Sequence, residues 1–246
     1  MKPLAIDLFC GLGGWTEGLL AEGYYVVGFD IEQHEYGEHR YPGQLVIQDV
    51  LTLHGSQFKD ATLIVASPPC QEYSYMAMPW KLANAKAAAI RADTTGAEQE
   101  RLNRLFNACF RIQKEASIAA GRHIPLIVEN VRGAIPWVGR SRWNFGSFHL
   151  WGDVPALMPT ADSGTKNNGG SWFNIGSPGQ KVVGQNPVAE GTKIGGDWFS
   201  DPQSTCRRHG SKSKGRKAAS AMIAKIPAPL ARHIAATFRP APIGDQ

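Results

Sequence analysis

Leu4-Ala5-Ile6-Asp7-Leu8-Phe9-Cys10-Gly11-Leu12-Gly13-Gly14-Trp15-Thr16-Glu17-Gly18-Leu19-Leu20 reads as one unit: a short apolar strand, a glycine turn and a helix. Such a unit starts nucleotide-binding α/β sheets. The glycines let backbone approach a ligand closely, and the new helix presents free N–H groups to it. The turn lacks the third glycine of a full dinucleotide fingerprint, so by itself it fits a plain tight turn equally well. Downstream, the same pattern of short apolar run followed by polar rim recurs. Tyr24-Tyr25-Val26-Val27-Gly28-Phe29 ends in Asp30-Ile31-Glu32, where such folds place an acid on ribose hydroxyls. Gln44-Leu45-Val46-Ile47 leads to Asp49-Val50, and Leu63-Ile64-Val65-Ala66 runs into Ser67-Pro68-Pro69-Cys70-Gln71. Pro125-Leu126-Ile127-Val128 ends in Glu129-Asn130-Val131. Apolar runs of this length, alternating with helical stretches, predict a Rossmann-like α/β fold: a mostly parallel sheet flanked by helices.

The rim residues have ordinary readings when taken singly. Asp30 and Asp49 suit turns or helix caps, Glu129 suits a surface acid, and a cytosolic cysteine is commonly an inert small hydrophobe. Together they place a thiol, an acid and an amide at the carboxyl ends of strands in one sheet, where open α/β sheets bind ligands. The prolines before Cys70 remove backbone donors and restrict φ, so the strand stops and the turn holds the thiol in place. An apolar approach strand implies desolvation of Glu129, which would raise its pKa and suit it to act as an acid.

Four longer stretches surround this rim. Lys81 to Ala120 is alanine-rich and helical, with a core-facing stripe of Leu102, Leu105, Phe106, Cys109 and Phe110. Arg140-Ser141-Arg142 precedes Trp143-Asn144-Phe145-Gly146-Ser147-Phe148-His149-Leu150, which alternates as one strand and would carry both arginines on one face. From Pro159 to Lys217 the composition shifts to glycine, serine, asparagine and charge, with turns at Asn167–Gly170 and Gly195–Asp197. Arg207-Arg208-His209-Gly210-Ser211-Lys212-Ser213-Lys214-Gly215-Arg216-Lys217 carries six cations and no acid. That suits phosphate contact through Arg207, Arg208, Lys212, Lys214, Arg216 and Lys217, or else a solvated basic loop. Residues 218–235 return to helical composition.

At 246 residues the chain can hold one domain with a substantial core and a small insert. Its net charge of +5 fits an anionic partner. No leader or long apolar run is visible. Four cysteines without metal-type spacing suggest a reducing cytoplasm, and the seven histidines form no ligand set, so no metal is expected. Cys10, Cys109 and Cys206 read as structural or incidental.

These motifs, in this order, resemble the cytosine-C5 DNA methyltransferase family, and in particular a small solitary member of phage or mobile-element type. Asp7–Gly14 is similar to the family's cofactor-binding opening, Pro69-Cys70-Gln71 to its nucleophile motif, Glu129-Asn130-Val131 to its acid motif, and Arg140-Ser141-Arg142 to its arginine pair. The resemblance implies S-adenosylmethionine as cofactor: Phe9 on the adenine, Asp30 on the ribose, Asp49 on the adenine amino group, with Gly11, Gly13, Gly14, Ile31, Val50 and Pro68 completing the site. It implies Cys70 as nucleophile, with Gln71 beside it, Glu129 at the cytosine ring nitrogen and Asn130 orienting the Cys70 loop. Arg142 would contact the base carbonyl, with Arg140 beside it. The segment Tyr73–Trp80 would close over a flipped-out base.

The same resemblance divides the chain into a catalytic domain at 1–155, a short recognition region at 156–217 and a helix at 218–240 that packs back. Double-stranded DNA is the implied partner, no membrane is involved, a monomer is favoured, and a cognate restriction endonuclease is an open partner. The chain departs from the family pattern at three points. Val138 replaces a glutamine before the arginine pair, Ala224-Lys225 lies where Gly-Asn is expected, and the motif organising the recognition region is not recognisable. Transfer-RNA cytosine-C5 methylation, or a non-catalytic DNA-binding role beside another methyltransferase, are the alternatives.

Overall fold

The computed structural model describes residues 2–73, 80–146, 148–158, 217–218, 221–222 and 224–241. Its centre is a seven-stranded sheet in the order β5-β2-β1-β6-β7-β9-β8. The strands are β1 (Leu4–Leu8), β2 (Tyr25–Asp30), β5 (Gln44–Ile47), β6 (Leu63–Ala66), β7 (Leu126–Asn130), β8 (Trp143–Phe145) and β9 (Phe148–Gly152). The first five run parallel, while β9 joins β7 and β8 antiparallel. A separate two-stranded hairpin, β3 (Glu35–Tyr36) and β4 (His39–Arg40), lies between β2 and β5. The chain moves outward from β1 through β2 to β5, then returns to the other side of β1 to form β6 and β7. The topological switch point therefore lies between β1 and β6, so the crevice at their carboxyl ends is where a sheet of this type binds its ligand.

Side-chain alternation divides the core into two layers. Ile6, Leu8, Ile64, Ala66, Leu126 and Val128 face a layer that includes Phe106, Cys109 and Ile112 of α3 (Ala97–Ala120). Ala5, Val26, Leu63, Val65, Ile127 and Leu150 face the opposite layer, with Trp15 and Leu19 of α1 (Gly14–Ala21) and Leu230, Ala231 and Ile234 of α5 (Ala228–Phe238). Helices α1 and α5 pack so closely that a Cβ on Gly18 would stand 2.4 Å from the Ala231 Cβ.

Three local expectations are corrected. The helical stretch after Lys81 is two helices, α2 (Trp80–Ala92) and α3. The break comes at Asp93, whose carboxylate accepts from the Thr95 and Glu98 backbone N–H groups and so turns the chain before α3 begins. The alternating run 143–150 is the hairpin β8–β9, reversing at Gly146, whose φ of +58° lies in the left-handed region that glycine occupies without strain. Arg140 and Arg142 thus precede the strand, and no shared strand face positions them. Finally, α5 starts only after Pro227, so residue 225 lies in a bend rather than a continuous helix. No helix among the described residues is long and apolar enough to cross a membrane.

Candidate functional site

The glycine turn closes on itself, with the Gly13 N–H donating to the Cys10 carbonyl at 2.7 Å. Phe9 and Gly11 take positive φ values of 57° and 50°, and Gly13 one of 76° before it caps α1. A side chain at Gly13 would strike Pro42 Cδ at 2.4 Å, whereas nothing lies within 4 Å of a Cβ built on Gly11. The turn is packed on one side and open on the other, as a backbone cradle requires. Gly14 opens α1, and a Cβ there would meet the Ile226 backbone at 2.3 Å, so the chain before α5 reaches the same turn.

Asp30 ends β2 beside this turn. Its Oδ2 accepts from the Gly11 N–H at 2.9 Å and its Oδ1 from the Ile31 N–H at 2.8 Å, while His34 Nε2 stands 3.5 Å from Oδ1. Burial pushes the carboxyl upward, but hydrogen bonds from His34 and the backbone outweigh it and hold Asp30 below the ordinary carboxylate range. The hydrogen bond to Asp30 in turn raises His34, against the opposing effect of burial. Next to it Ile31 is 70% exposed, a large apolar side chain at the rim. Asp49 caps the 3-10 turn Val50–Thr52 by accepting from the Leu51 N–H at 2.9 Å. Val50 is core, so it offers a ligand only its backbone.

Across the switch point, Ser67 continues from β6 with its N–H on the Leu8 carbonyl, and its hydroxyl accepts from Trp15 Nε1 at 3.0 Å. Pro68 and Cys70 follow. Cys70 is partly exposed and does not form a disulfide. The turn is held from both sides: Asn130 Nδ2 donates to the Pro68 carbonyl at 3.0 Å, and the Tyr73 N–H donates to the Cys70 carbonyl at 3.0 Å. Asn130 and Glu129, the latter 6% exposed, end β7. Through β9, Asn130 is opposite His149, whose Nδ1 lies 2.9 Å from the Ser141 hydroxyl between the two arginines. Arg140 and Arg142 are exposed, and the Arg142 N–H is fixed on the Leu150 carbonyl at 2.9 Å. Gln71 is exposed beside Cys70.

The fold therefore gathers Phe9, Gly11, Gly13, Gly14 and Asp30 around the β1 end of the crevice, and Pro68, Cys70, Glu129 and Asn130 around the β6–β7 end. Arg207, Arg208, Lys212, Lys214 and Arg216, and residues 74–79 of the loop after Tyr73, lie outside the described residues, as does most of the 156–217 region. Lys217 is described and exposed. The expectation that Tyr73–Trp80 is one closing loop is corrected at both ends, since Tyr73 is buried and bonded to α3 and Trp80 opens α2. Sequence reading gave no role to Trp15, His34, Asn103 and Ser141, which reach the rim through contacts with Ser67, Asp30, Tyr73 and His149. Cys10 and Cys109 are buried, and burial drives both thiols well above the ordinary range, as befits structural cysteines.

The C-5 cytosine-specific DNA methylase family matches residues 4–135, more than half of the chain. A solved DNA modification methyltransferase encoded within an E. coli prophage is 24% identical over 55% of this chain and 33% of its own, with a TM-score of 0.35. The S. pombe Dnmt2 methyltransferase is 15% identical over 56% of this chain and 37% of its own, with a TM-score of 0.34. The Entamoeba histolytica methyltransferase EhMeth is 15% identical over 56% and 41%, with a TM-score of 0.31. The alignments thus cover about a third to two-fifths of these solved structures. No curated protein matches the chain.

Proposed function

The chain belongs to the C-5 cytosine-specific DNA methylase family, and from that membership we propose that it methylates C5 of a flipped-out cytosine in double-stranded DNA. The observation that carries the reading is the Asn130 amide on the Pro68 carbonyl, which ties the acid-bearing strand to the cysteine turn at the switch point. The glycine turn, open at Gly11, and the ionised Asp30 fit S-adenosylmethionine. Phe9, Gly11, Gly13, Gly14, Asp30, Ile31, Asp49, Val50 and Pro68 would hold it, and when bound it supplies an electrophilic methyl group.

The chain's own residues do the rest. Cytosine C5 is a weak nucleophile, so the Cys70 thiolate adds to C6 and the C5=C6 electron pair becomes available at C5. Glu129 donates at ring N3 and stabilises the resulting enamine, while Arg142, with Arg140 beside it, contacts the base carbonyl and favours the thiolate. Once C5 carries the methyl, loss of its proton to a base restores the double bond and expels Cys70. Flipping the base costs a few kcal/mol, which phosphate contacts from the basic run 207–217 offset. The division into a catalytic part at 1–155, a recognition region at 156–217 and a returning helix at 218–240 belongs to the same proposal.

The test expresses the wild type and Cys70→Ala in a host lacking cytosine methylation and quantifies modified nucleosides in DNA and RNA by mass spectrometry. The expected outcome is 5-methylcytosine in DNA with the wild type alone, while Cys70→Ala still binds S-adenosylmethionine. Turnover by Cys70→Ala would remove Cys70 as nucleophile, and 5-methylcytosine in RNA would reassign the substrate. Silence in both pools from folded, S-adenosylmethionine-binding protein would replace catalysis with a binding role.

A further inference from the structure

Two separate segments deliver groups to the proposed cytosine site. One is the Cys70 turn after β6; the other is 137–142, which carries Arg140 and Arg142. The sheet joins them indirectly, through β7 and β9, where the Arg142 N–H rests on the Leu150 carbonyl. Helix α3 adds a second and more direct coupling. Tyr73, three residues beyond Cys70 and buried, sends its hydroxyl between Asn103 Oδ1 at 2.9 Å and the Leu102 carbonyl at 3.1 Å. The other end of the Asn103 amide, Nδ2, donates to the Trp137 carbonyl at 2.8 Å, where Gln99 Nε2 also donates at 3.0 Å. Asn103 itself is 7% exposed.

A buried amide with an acceptor on one end and a donor on the other is a two-sided spacer, and a packed interior leaves it one arrangement. Two further contacts brace the ends of these segments. Tyr73 N–H holds the Cys70 carbonyl at 3.0 Å, and Trp151 Nε1 holds the Gly139 carbonyl at 3.0 Å, one residue before Arg140. We propose that Asn103 is a positioning residue for the methyl-transfer site, setting the Cys70 turn and the Arg140–Arg142 segment at a fixed separation through Tyr73 on one side and Trp137 on the other. The inference rests on the cytosine methyltransferase reading above. Asn103 touches no reacting atom and acts through the two segments it joins.

The experiment compares wild type, Asn103→Ala and Tyr73→Phe in the full chain. It combines initial rates of 5-methylcytosine formation in methylation-free genomic DNA, S-adenosylmethionine affinity, and the pH profile of Cys70 alkylation by iodoacetamide, read on the Cys70 peptide. Alkylation requires no turnover, so it separates this inference from the activity. A wild type that makes no 5-methylcytosine sinks the function proposal, while a Cys70 profile altered by the variants still upholds the coupling to the cysteine turn.

For Asn103→Ala, kcat should fall on the order of tenfold, the scale of a small misplacement of reacting groups. S-adenosylmethionine affinity should hold, and the Cys70 alkylation profile should change. Tyr73→Phe keeps the ring in the core and deletes only the hydroxyl, so it stands in if Asn103→Ala does not fold. Combining the two should be no worse than the worse single variant, because both cut one path. Variants that lower thermal stability but leave kcat and the Cys70 alkylation profile as in the wild type would reduce Asn103 to a structural amide and overturn the proposal.

Discussion

Asp7 shows how burial sets the behaviour of a single carboxyl. It lies one strand position before Leu8, in the β1 motif, yet alternation turns it toward α1, where the Thr16 hydroxyl donates to Oδ2 at 2.7 Å and the Tyr41 hydroxyl lies 2.6 Å from Thr16. Its Oδ1 is the buried side-chain oxygen without a hydrogen-bond partner among the described residues. Burial is the main cause that pushes its pKa from the ordinary 3.8 up to about 8; the hydrogen bond from Thr16 opposes this and the charge of Asp30 adds to it. The folded protein therefore binds one more proton than the unfolded chain between those values. Its stabilising effect is complete below about pH 4 and disappears as pH rises through about 8. Asp7→Asn, neutral at every pH and still able to accept from Thr16, should flatten the decline in stability across this window. Denaturant midpoints measured from pH 5 to 9 check it, and an equal decline in both proteins would mean that Asp7 is ionised in the fold. No property of Asp7 as a letter in the sequence announced this, since the same residue type at Asp30 is held below its usual range by backbone donors and His34.

At the scale of elements, the apolar runs were legible because a parallel strand buried on both faces must be apolar throughout. What was not legible is where polar contacts cut or reverse a run. Asp93 interrupts the helical stretch with its own side-chain turn, and Gly146 folds the 143–150 run into two strands, moving the arginines off a strand face. The link between β2 and β5 is another case: a crossover that ordinarily contains a helix holds only the β3–β4 hairpin. Helix α5 was legible only from its apolar content, whereas its partner is set by small residues. Gly18 of α1 admits the Ala231 backbone, whose carbonyl carbon would stand 2.5 Å from a Cβ. Gly18→Ala should force the helices apart and cost about 1–3 kcal/mol, the usual range for overpacking a well-filled core. Chemical denaturation reads this directly, and an unchanged midpoint would show that α5 shifts without penalty.

For the whole molecule, the decisive feature is the switch point between β1 and β6, which brings a glycine turn, an ionised Asp30 and the Cys70 turn to one crevice. The net charge of +5 belongs to this scale, because a nucleic-acid ligand responds to the summed field and to phosphate contacts. Reversing Arg207, Arg208 and Lys212 to glutamate should flatten the slope of log affinity against log salt by about 0.9 for each phosphate that the protein no longer neutralises. Filter binding to duplex DNA across a salt series measures it, and an unchanged slope would assign the basic run to solvent. The sequence by itself determined which apolar runs form the parallel strands and the order of glycine turn, cysteine and acid after them, because these depend on local periodicity and on turn residues that act within a few positions. Only the tertiary structure decided that burial raises the Asp7 carboxyl, which carbonyl of the cysteine turn Asn130 reaches from 62 positions away, and that Asn103 joins Tyr73 to Trp137 across 30 and 34 positions. Burial and hydrogen-bond partners at such separations are set by how the layers pack, and packing has no local signature.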